Sequence, residues 1–264
     1  MISGVNGLTM HVLEAGQSAP GVPTVLLLHG FPELAYSWRQ IMVPLVNAGF
    51  HVVAPDQRGY GRTVGWSDAY EDDVSPFRMF NLVRDALGLL KSLGLDSVHA
   101  VIGHDFGSPV AAWCGVLRPD IFRSVGLMSA PFGGPPPLPE AATRGKPTRD
   151  VHAELLALER PRKHYQWYYS TRAANADMVN SAQGLKSFLR AYFHMKSAGW
   201  VANSPYPLEG WRAEELAKLP TYYVMDADQD MAQTVRSDDP GVALAFLDDA
   251  ELDVYTQENG RTGF

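Results

Sequence analysis

The sequence predicts an α/β fold in which a mostly parallel sheet is followed by a helical module, and two features of the chain predict it. Short apolar runs alternate with helix-like segments through the first half, the pattern of parallel strands joined by helices. Seven prolines and glycines then fall within residues 131–139, a composition that indicates a hinge. The chain beyond is helical in pattern and rich in aromatic side chains. The predicted domains are a sheet core at residues 1–131 and a hinge with a helical domain at residues 132–264.

The individual elements follow from runs of apolar side chains. The five predicted strands lie at residues 8–13, 25–28, 51–54, 98–102 and 124–128. Residues 77–93 carry apolar side chains on one stripe and are followed by Gly94, which is typical of a helix and its end. Residues 108–117 predict a second helix, with Pro109 suited to its first turn.

Residues 220–230 allow two interpretations. They read either as a buried strand that ends in a carboxylate or as irregular structure within the helical domain. In the first case Asp226, Asp228 or Asp230 stands at a strand end, where functional side chains of α/β proteins often lie.

Composition excludes several classes of protein. The 264 residues are 46% hydrophobic and carry 22 basic against 29 acidic side chains, a balance that argues against a nucleic-acid partner. No segment reaches the roughly 18 consecutive apolar residues of a membrane span, so we expect no membrane partner. The single cysteine, Cys114, lies in an apolar stretch and reads as a buried core residue. A chain without an internal disulfide fits a reducing, cytoplasmic setting.

The motif that carries chemistry lies at residues 103–107, Gly-His-Asp-Phe-Gly, where a predicted strand passes directly into a helix. Small flanking residues permit a turn so tight that the central side chain, Asp105, projects from the end of the strand. A carboxylate is ionised at neutral pH and attacks saturated carbon without a general base, which gives an alkyl-enzyme ester. The alternative is an ordinary turn in which Asp105 caps the helix.

A second motif, His-Gly-Phe-Pro-Glu at residues 29–33, follows the second predicted strand. The backbone N–H groups of Phe31 and Phe106 are the candidates for an oxyanion hole. We interpret His29 as a hydrogen-bonding residue of this loop rather than a catalytic base. A cis peptide bond before Pro32 is one way to shape the loop.

A third motif, Asp-Gln-Arg-Gly-Tyr-Gly-Arg-Thr at residues 56–63, is a glycine-rich turn after the strand predicted at residues 51–54, and its simplest role is structural. The motifs at residues 29–33, 56–63 and 103–107, in this order and spacing, resemble those of the epoxide hydrolases of the alpha/beta-hydrolase fold. The likeness covers nearly the whole chain. It implies a mostly parallel sheet with an inserted helical lid, a small-molecule epoxide as substrate, and no metal or organic cofactor. Lid tyrosines of that family hold the epoxide oxygen, and the matching position is Tyr165. A phenol with a pKa near 10 donates to a developing alkoxide at neutral pH.

Aromatic side chains next to Tyr165 complete the predicted substrate pocket. Trp167 and Tyr168 lie in the same run, with Tyr168 as the reserve candidate for the phenol that holds the oxygen. The alternative is that this run only packs the interior of the lid. His29 and Pro32 are assigned to the pocket from the sheet core. The aromatic lid favours a bulky or aryl-substituted epoxide.

Neighbouring families also use an aspartate at this turn. Haloalkane dehalogenases usually carry a tryptophan directly after the nucleophile, and fluoroacetate dehalogenases tend to carry an arginine there. Phe106 supplies neither donor. A haloalkane dehalogenase-like hydrolase therefore remains a weaker alternative, and Asp105 itself disfavours serine esterases.

The resemblance also implies an acid and a late histidine, which activates the water that hydrolyses the ester. The last histidine is His194, so residues 195–264 contain none. Residues 248–255 resemble the last lid helix of the family. We therefore expect the acid, the histidine, the second lid tyrosine and the C-terminal core strands to lie beyond Phe264.

The leading hypothesis is an epoxide hydrolase that forms a vicinal diol through an ester on Asp105. A second hypothesis is a non-catalytic or incomplete hydrolase-fold chain that needs another polypeptide. That polypeptide is either the second copy of a homodimer or a chain that supplies the missing core. In this chain by itself, the predicted strand at residues 124–128 is an exposed apolar sheet edge.

Overall fold

The computed structural model describes residues 1–135 and 149–264. The chain forms two compact units, Met1–Pro135 and Pro136–Phe264, which are described separately below. The part of the predicted hinge at residues 136–139 lies outside the described residues. The assignment of the second unit as a lid stays a prediction.

The first unit is built on β-strands, which are β1 (Ile2–Val5), β2 (Leu8–Met10), β3 (Val12–Ala15), β4 (Thr24–Leu28), β5 (His51–Pro55), β6 (Ala100–His104) and β7 (Val125–Met128). Five of them form one sheet with the strand order β3-β5-β4-β6-β7. Its strands are parallel except β3, which pairs antiparallel with β5. A separate antiparallel pair is formed by β1 and β2. The helices are α1 (Arg39–Asn47), α2 (Met79–Ser92) and α3 (Gly107–Leu117).

Alternation of side chains along β4 explains why both faces of the sheet are covered. Leu26 and Leu28 belong to the apolar cluster that includes side chains of α2 and α3. Val25 and Leu27 belong to the cluster on the opposite face, which includes Met42 of α1. A parallel strand buried on both faces is a continuous apolar run, which is how the sequence revealed it.

The predictions at β4, β5, α2 and α3 are confirmed to within two residues. The single strand predicted at residues 8–13 is wrong, because the chain leaves one ladder at His11 and enters another. The N–H of His11 donates to Thr63 Oγ1, and its carbonyl accepts from the N–H of Asp56. The strand predicted at residues 98–102 begins at Ala100 instead.

Strand β7 forms one edge of the five-stranded sheet in the part of the chain that the structure describes. Its side chains Val125, Leu127 and Met128 are each at least 40% exposed. An edge strand with exposed apolar side chains is what the sequence predicted for residues 124–128.

The second unit is mainly helical. Its helices are α4 (Val151–Leu156), α5 (Tyr165–Tyr169), α6 (Arg172–Val179), α7 (Leu185–Met195), α8 (Ala213–Leu216), α9 (Met231–Val235) and α10 (Asp249–Thr262). Two short strands, β8 (Arg162–His164) and β9 (Val224–Asp226), pair antiparallel beside them. Asp248 and Glu251 cap the start of α10 reciprocally, so the helix expected from residues 248–255 is present.

The open question at residues 220–230 is thereby answered. Only Val224–Asp226 is a strand, and it pairs with β8 rather than with the main sheet. Asp226 forms an ion pair with Arg160 at 2.6 Å, which holds the pKa of that carboxyl below its usual value. The segment therefore contains a short strand that ends in a carboxylate, as the first interpretation predicted, but this strand does not belong to the five-stranded sheet.

Two simpler expectations concern the whole chain. Cys114 is buried, and burial raises the pKa of its thiol to about 12, so the thiol stays protonated at neutral pH. Among the described residues no helix combines the length and the apolar character needed to cross a membrane. The cytoplasmic location stays a prediction.

Candidate active site

Asp105 stands on the tight turn between β6 and α3. Its φ angle is +50°, in the left-handed region that few non-glycine residues adopt. Its N–H donates to the carbonyl of Met128 at 3.0 Å, and its own carbonyl accepts from the N–H of Ser108 at 3.0 Å. The carboxylate does not cap α3, because it accepts instead from the loop after β4. The turn has the geometry expected of a nucleophile elbow.

Three glycines allow this turn to form. A Cβ at Gly103 would collide with the backbone of Gly107, and a Cβ at Gly107 would collide with the carbonyl of Leu28. A Cβ at Gly30 would collide with the side chain of Asp105. The small residues that the motif requires are therefore required by backbone contacts on both sides of the nucleophile.

Ser108 stabilises the turn through hydrogen bonds of its side chain, a role that the sequence did not predict. Its Oγ lies 2.7 Å from the carbonyl of Gly103 and 2.8 Å from the carbonyl of Met128, and it accepts from the N–H of Met128 at 3.1 Å. The side chain is fully buried. A serine that follows the second glycine of the elbow was the available signal.

The backbone N–H of Phe31 donates to Oδ1 of Asp105 at 3.0 Å. The Phe31–Pro32 peptide bond is cis, as the sequence analysis considered. One predicted oxyanion-hole donor therefore already points at the nucleophile. The role of the Phe106 N–H stays a prediction, and the ring of Phe106 is 45% exposed.

His29 is buried beneath this loop with both ring nitrogens engaged. Its Nδ1 lies 2.8 Å from the carbonyl of Gly30, and its Nε2 accepts from the N–H of Gln57 at 3.0 Å. These partners require a proton on Nδ1 and none on Nε2. Burial lowers the pKa of His29 despite nearby carboxylates, so the ring stays neutral. The interpretation of His29 as a structural residue fits this geometry.

A histidine-carboxylate pair flanks the nucleophile and was not singled out from the sequence. Nδ1 of His104 lies 2.7 Å from Oε2 of Glu33, which also accepts from the N–H of Gly30 at 3.3 Å. Nε2 of His104 lies 3.2 Å from Oγ of Ser129. The signal was available, because the carboxyl ends of the neighbouring parallel strands β4 and β6 meet at one edge of the sheet.

The turn at residues 56–63 supports the site through Asp56. Its carboxylate accepts from the N–H groups of Ala35 at 2.8 Å and Arg62 at 3.0 Å, and lies 2.7 Å from Nδ1 of His11. Burial alone would raise the pKa of Asp56, but the hydrogen bonds from His11 and the backbone hold it below its usual value. The structural role predicted for this turn agrees with these contacts.

Tyr60, from the same turn, is a further residue beside the nucleophile. Its ring meets His29 edge-on at 5.0 Å between ring centroids. Burial, together with the charge of Asp105, raises the pKa of the Tyr60 phenol far above its usual value. Tyr60 is therefore a neutral phenol at neutral pH.

The predicted lid residues lie on α5 of the second unit. Tyr165 is half-buried, and its oxygen accepts from Nε2 of Gln166 at 3.3 Å. Tyr168 is only 5% exposed and donates its hydroxyl to Asp177 at 2.9 Å. Trp167 stacks on His152 at 5.4 Å between ring centroids. Tyr165 is thus the more exposed of the two tyrosines, and the hydroxyl of Tyr168 is held by Asp177.

Among the described residues, no three His, Cys, Asp or Glu side chains lie close enough together to hold a metal ion.

Similarity to known proteins identifies the family. A profile of the alpha/beta hydrolase fold matches residues 23–217. Epoxide hydrolase B of Mycobacterium tuberculosis is 32% identical over 280 aligned positions, which cover 98% of this chain and 71% of the relative. The chain belongs to the epoxide hydrolase family of the alpha/beta hydrolase fold.

Two further members of the family are similar to this chain, one in sequence and one in structure. Epoxide hydrolase 2 of Siraitia grosvenorii is 34% identical over 80% of this chain and 63% of its own length. The crystal structure of epoxide hydrolase A from Mycobacterium thermoresistibile matches with a TM-score of 0.71 and 29% identity, over 100% of this chain and 70% of that chain. The chain thus spans between 63% and 71% of the length of these family members.

Proposed function

We propose that this chain opens an epoxide by nucleophilic attack of Asp105 and that the reaction leads to a vicinal diol. The observation that carries the proposal is the elbow, which presents an aspartate with one oxygen held by the N–H of Phe31 at 3.0 Å. Membership of the epoxide hydrolase family supports the substrate class.

In the first half-reaction Oδ2 of Asp105 is the attacking atom, because Oδ1 accepts the Phe31 N–H. A bond forms between Oδ2 and an epoxide carbon, and the bond between that carbon and the ring oxygen breaks. The electron pair of the broken bond goes to the ring oxygen. We assign to Tyr165 the donation of a proton to that oxygen, which its resemblance to a lid tyrosine supports. The product of this step is a hydroxyalkyl ester of Asp105.

In the second half-reaction water attacks the ester carbonyl, and the negative charge develops on the oxygen that faces the Phe31 N–H. Preorganised donors stabilise such an oxyanion. The step also needs a base to activate the water, and residues 195–264 contain no histidine for that role. We therefore expect the ester to persist on this chain. Where a general base activates the water, hydrolysis of the ester releases the vicinal diol.

Intact-protein mass spectrometry after incubation with styrene oxide tests the proposal. The expected result is a stable gain of one styrene oxide mass, located on Asp105 by peptide mapping. Asp105→Asn keeps the shape of the side chain and its backbone conformation but removes the charge, so it should show no adduct.

Two results would overturn the proposal. One is the absence of an adduct on wild-type protein that is folded by circular dichroism. The other is an adduct of equal yield in Asp105→Asn, which would mean that another side chain is alkylated. Release of halide from a haloalkane panel without any epoxide adduct would point to a dehalogenase instead.

A further inference from the structure

A cluster of tyrosines surrounds Tyr165 inside the second unit. The ring of Tyr165 lies 5.4 Å from the ring of Tyr169 and 5.4 Å from the ring of Tyr223, measured between centroids. The N–H of Tyr165 donates to the carbonyl of Tyr223 at 2.8 Å. Tyr169 in turn donates its hydroxyl to the hydroxyl of Tyr192 at 3.0 Å. Tyr165 is therefore held by neighbours that are themselves tyrosines.

One lysine stands at the centre of this group. Nζ of Lys196 lies 4.7 Å from the ring centroid of Tyr192, 5.7 Å from that of Tyr222 and 5.5 Å from that of Tyr223. A cation over aromatic faces is attracted by the negative charge density of the rings. Lys196 thus contacts Tyr223, which packs on Tyr165, and Tyr192, whose hydroxyl accepts from the hydroxyl of Tyr169.

The other titratable groups around this cluster are identified by their contacts. His164 packs on Tyr165 at 4.9 Å between rings, and burial, with His152 adding, lowers the pKa of its imidazole. Burial raises the pKa of Tyr222, with Tyr223 adding. On the far side of Tyr222, Trp200 donates to the carboxylate of Asp238 at 2.8 Å.

A second lysine, Lys163, lies with its Nζ 5.0 Å from the ring centroid of Tyr168 and donates to the carbonyl of Ala227. Lys196, by contrast, contacts the rings of Tyr223 and Tyr192.

We propose that Lys196 is a positioning residue for Tyr165, which it orients through Tyr223 and Tyr192 and whose hydroxyl it makes a better proton donor. The inference rests on the proposed function, in which Tyr165 gives its proton to the opening epoxide. As the proton leaves, the phenol oxygen gains negative charge, and a nearby ammonium stabilises that charge.

The size of the effect follows from distance. Nζ of Lys196 lies 5.5 Å from the ring centroid of Tyr223, and that centroid lies 5.4 Å from the ring centroid of Tyr165. Nζ is therefore at most about 11 Å from the centre of the Tyr165 ring. A unit charge at that range in a partly solvated interior changes a phenol pKa by about half to one pH unit. We therefore expect loss of the charge to slow epoxide opening by about three- to tenfold.

The test compares Lys196→Met, which keeps the length of the side chain, with Lys196→Arg, which keeps the charge. The rate of ester formation with styrene oxide is followed by mass spectrometry as a function of pH. In Lys196→Met we expect a three- to tenfold lower rate near pH 7 and an alkaline limb displaced upward by about half to one pH unit. Lys196→Arg should retain the wild-type rate within about twofold and the wild-type limb.

Lys186→Met is the matched control, because Lys186 lies on the same helix α7 and pairs with Asp253 at 2.6 Å instead of with tyrosines. Lys186→Met also removes one positive charge from the second unit. The rate of ester formation and the position of its alkaline limb should stay unchanged. Lys196 also follows the last turn of α7, where a cation favours the helix dipole. A lower rate in Lys196→Met without displacement of the limb would mean a purely structural role and would overturn the inference.

A second readout needs no epoxide. The phenol pKa of Tyr165 is measured by NMR of protein labelled at tyrosine Cζ, with the signal assigned through Tyr165→Phe. It should rise by about half to one pH unit in Lys196→Met, and an unchanged value overturns the inference. If wild-type protein forms no ester, the proposed function fails while this titration still decides the role of Lys196.

Discussion

The two residues proposed to act in the reaction, Asp105 in the first unit and Tyr165 in the second, are positioned by different kinds of contact. In the first unit the proposed nucleophile, Asp105, is positioned by the backbone: it has a left-handed φ of +50°, glycines pack on neighbouring carbonyls, and a peptide N–H contacts its carboxylate. In the second unit the proposed proton donor, Tyr165, is positioned by side chains, the tyrosine rings that Lys196 contacts. A side chain added at one of these glycines collides with backbone atoms, whereas a substitution among the packed rings can be accommodated in part. The two halves should therefore respond differently to substitution.

The largest effect is expected for Gly107→Ala in the first unit. The new Cβ meets the carbonyl of Leu28, and neither backbone can move without disrupting the sheet. We expect a loss of about 3 kcal/mol or more in the free energy of unfolding, measured by urea denaturation. Gly133→Ala is the control, because its Cβ meets open space. Equal stability of the two variants would remove the contrast between the units.

Tyr165→Phe should have the next largest effect, and on rate instead of stability. Loss of the proton donor should slow ester formation by about a hundredfold, which is about 2.7 kcal/mol of activation free energy. The ring contacts with Tyr169 and Tyr223 remain, so the unfolding midpoint in urea should change little. A rate within threefold of wild type would exclude Tyr165 as the donor.

Ser108→Ala tests whether a side chain also stabilises the backbone-built site. Its Oγ lies within hydrogen-bond distance of the carbonyls of Gly103 and Met128, and it accepts from the N–H of Met128. Removing these partners from a buried site should cost about 1–3 kcal/mol of unfolding free energy. Ser108→Cys, which retains a weak donor, should lose less, and the same urea measurement compares them.

Tyr168→Phe separates the two lid candidates. It removes the hydrogen bond to Asp177 and should lower the free energy of unfolding by about 1 kcal/mol. The rate of ester formation should stay at the wild-type value. A rate loss as large as that in Tyr165→Phe would assign the proton donation to Tyr168 instead.

The smallest effect is a dependence of stability on pH that both units share. The pKa of His29 in the first unit and of His164 in the second is lowered by burial. The unfolded chain binds protons at these groups below about pH 6.5 while the folded chain does not, so stability falls as the pH drops below that value. Urea midpoints at about pH 7.5 and pH 5.5 measure the change. His164→Gln should weaken the dependence, and an unchanged slope would contradict the assignment.

Sequence patterns located the first unit more completely than the second. Buried parallel strands are continuous apolar runs, so β4, β5 and the elbow at Asp105 were predicted closely. The His104–Glu33 pair was not, because its members are 71 positions apart in the chain and meet only when β4 and β6 lie side by side.

In the second unit the sequence supplied residue types but few contacts. The short pairing of β8 with β9 joins segments about 60 residues apart and lacks the length of a typical strand signal. A run of aromatic residues also reads alike whether its members face a substrate or one another. The structure distinguishes Tyr165 from Tyr168 by their burial and by the hydrogen bond of Tyr168 to Asp177.

The left-handed backbone at Asp105 limits which nucleophiles this position can accept in the course of evolution. A residue branched at Cβ is strongly disfavoured at a φ of +50°, whereas aspartate and asparagine tolerate it. Threonine, valine and isoleucine are thus closed to the position whatever the chemistry around it. Related proteins that keep this turn are therefore limited at position 105 to side chains that are not branched at Cβ. A different reaction at this site requires another of those residue types or different residues around position 105.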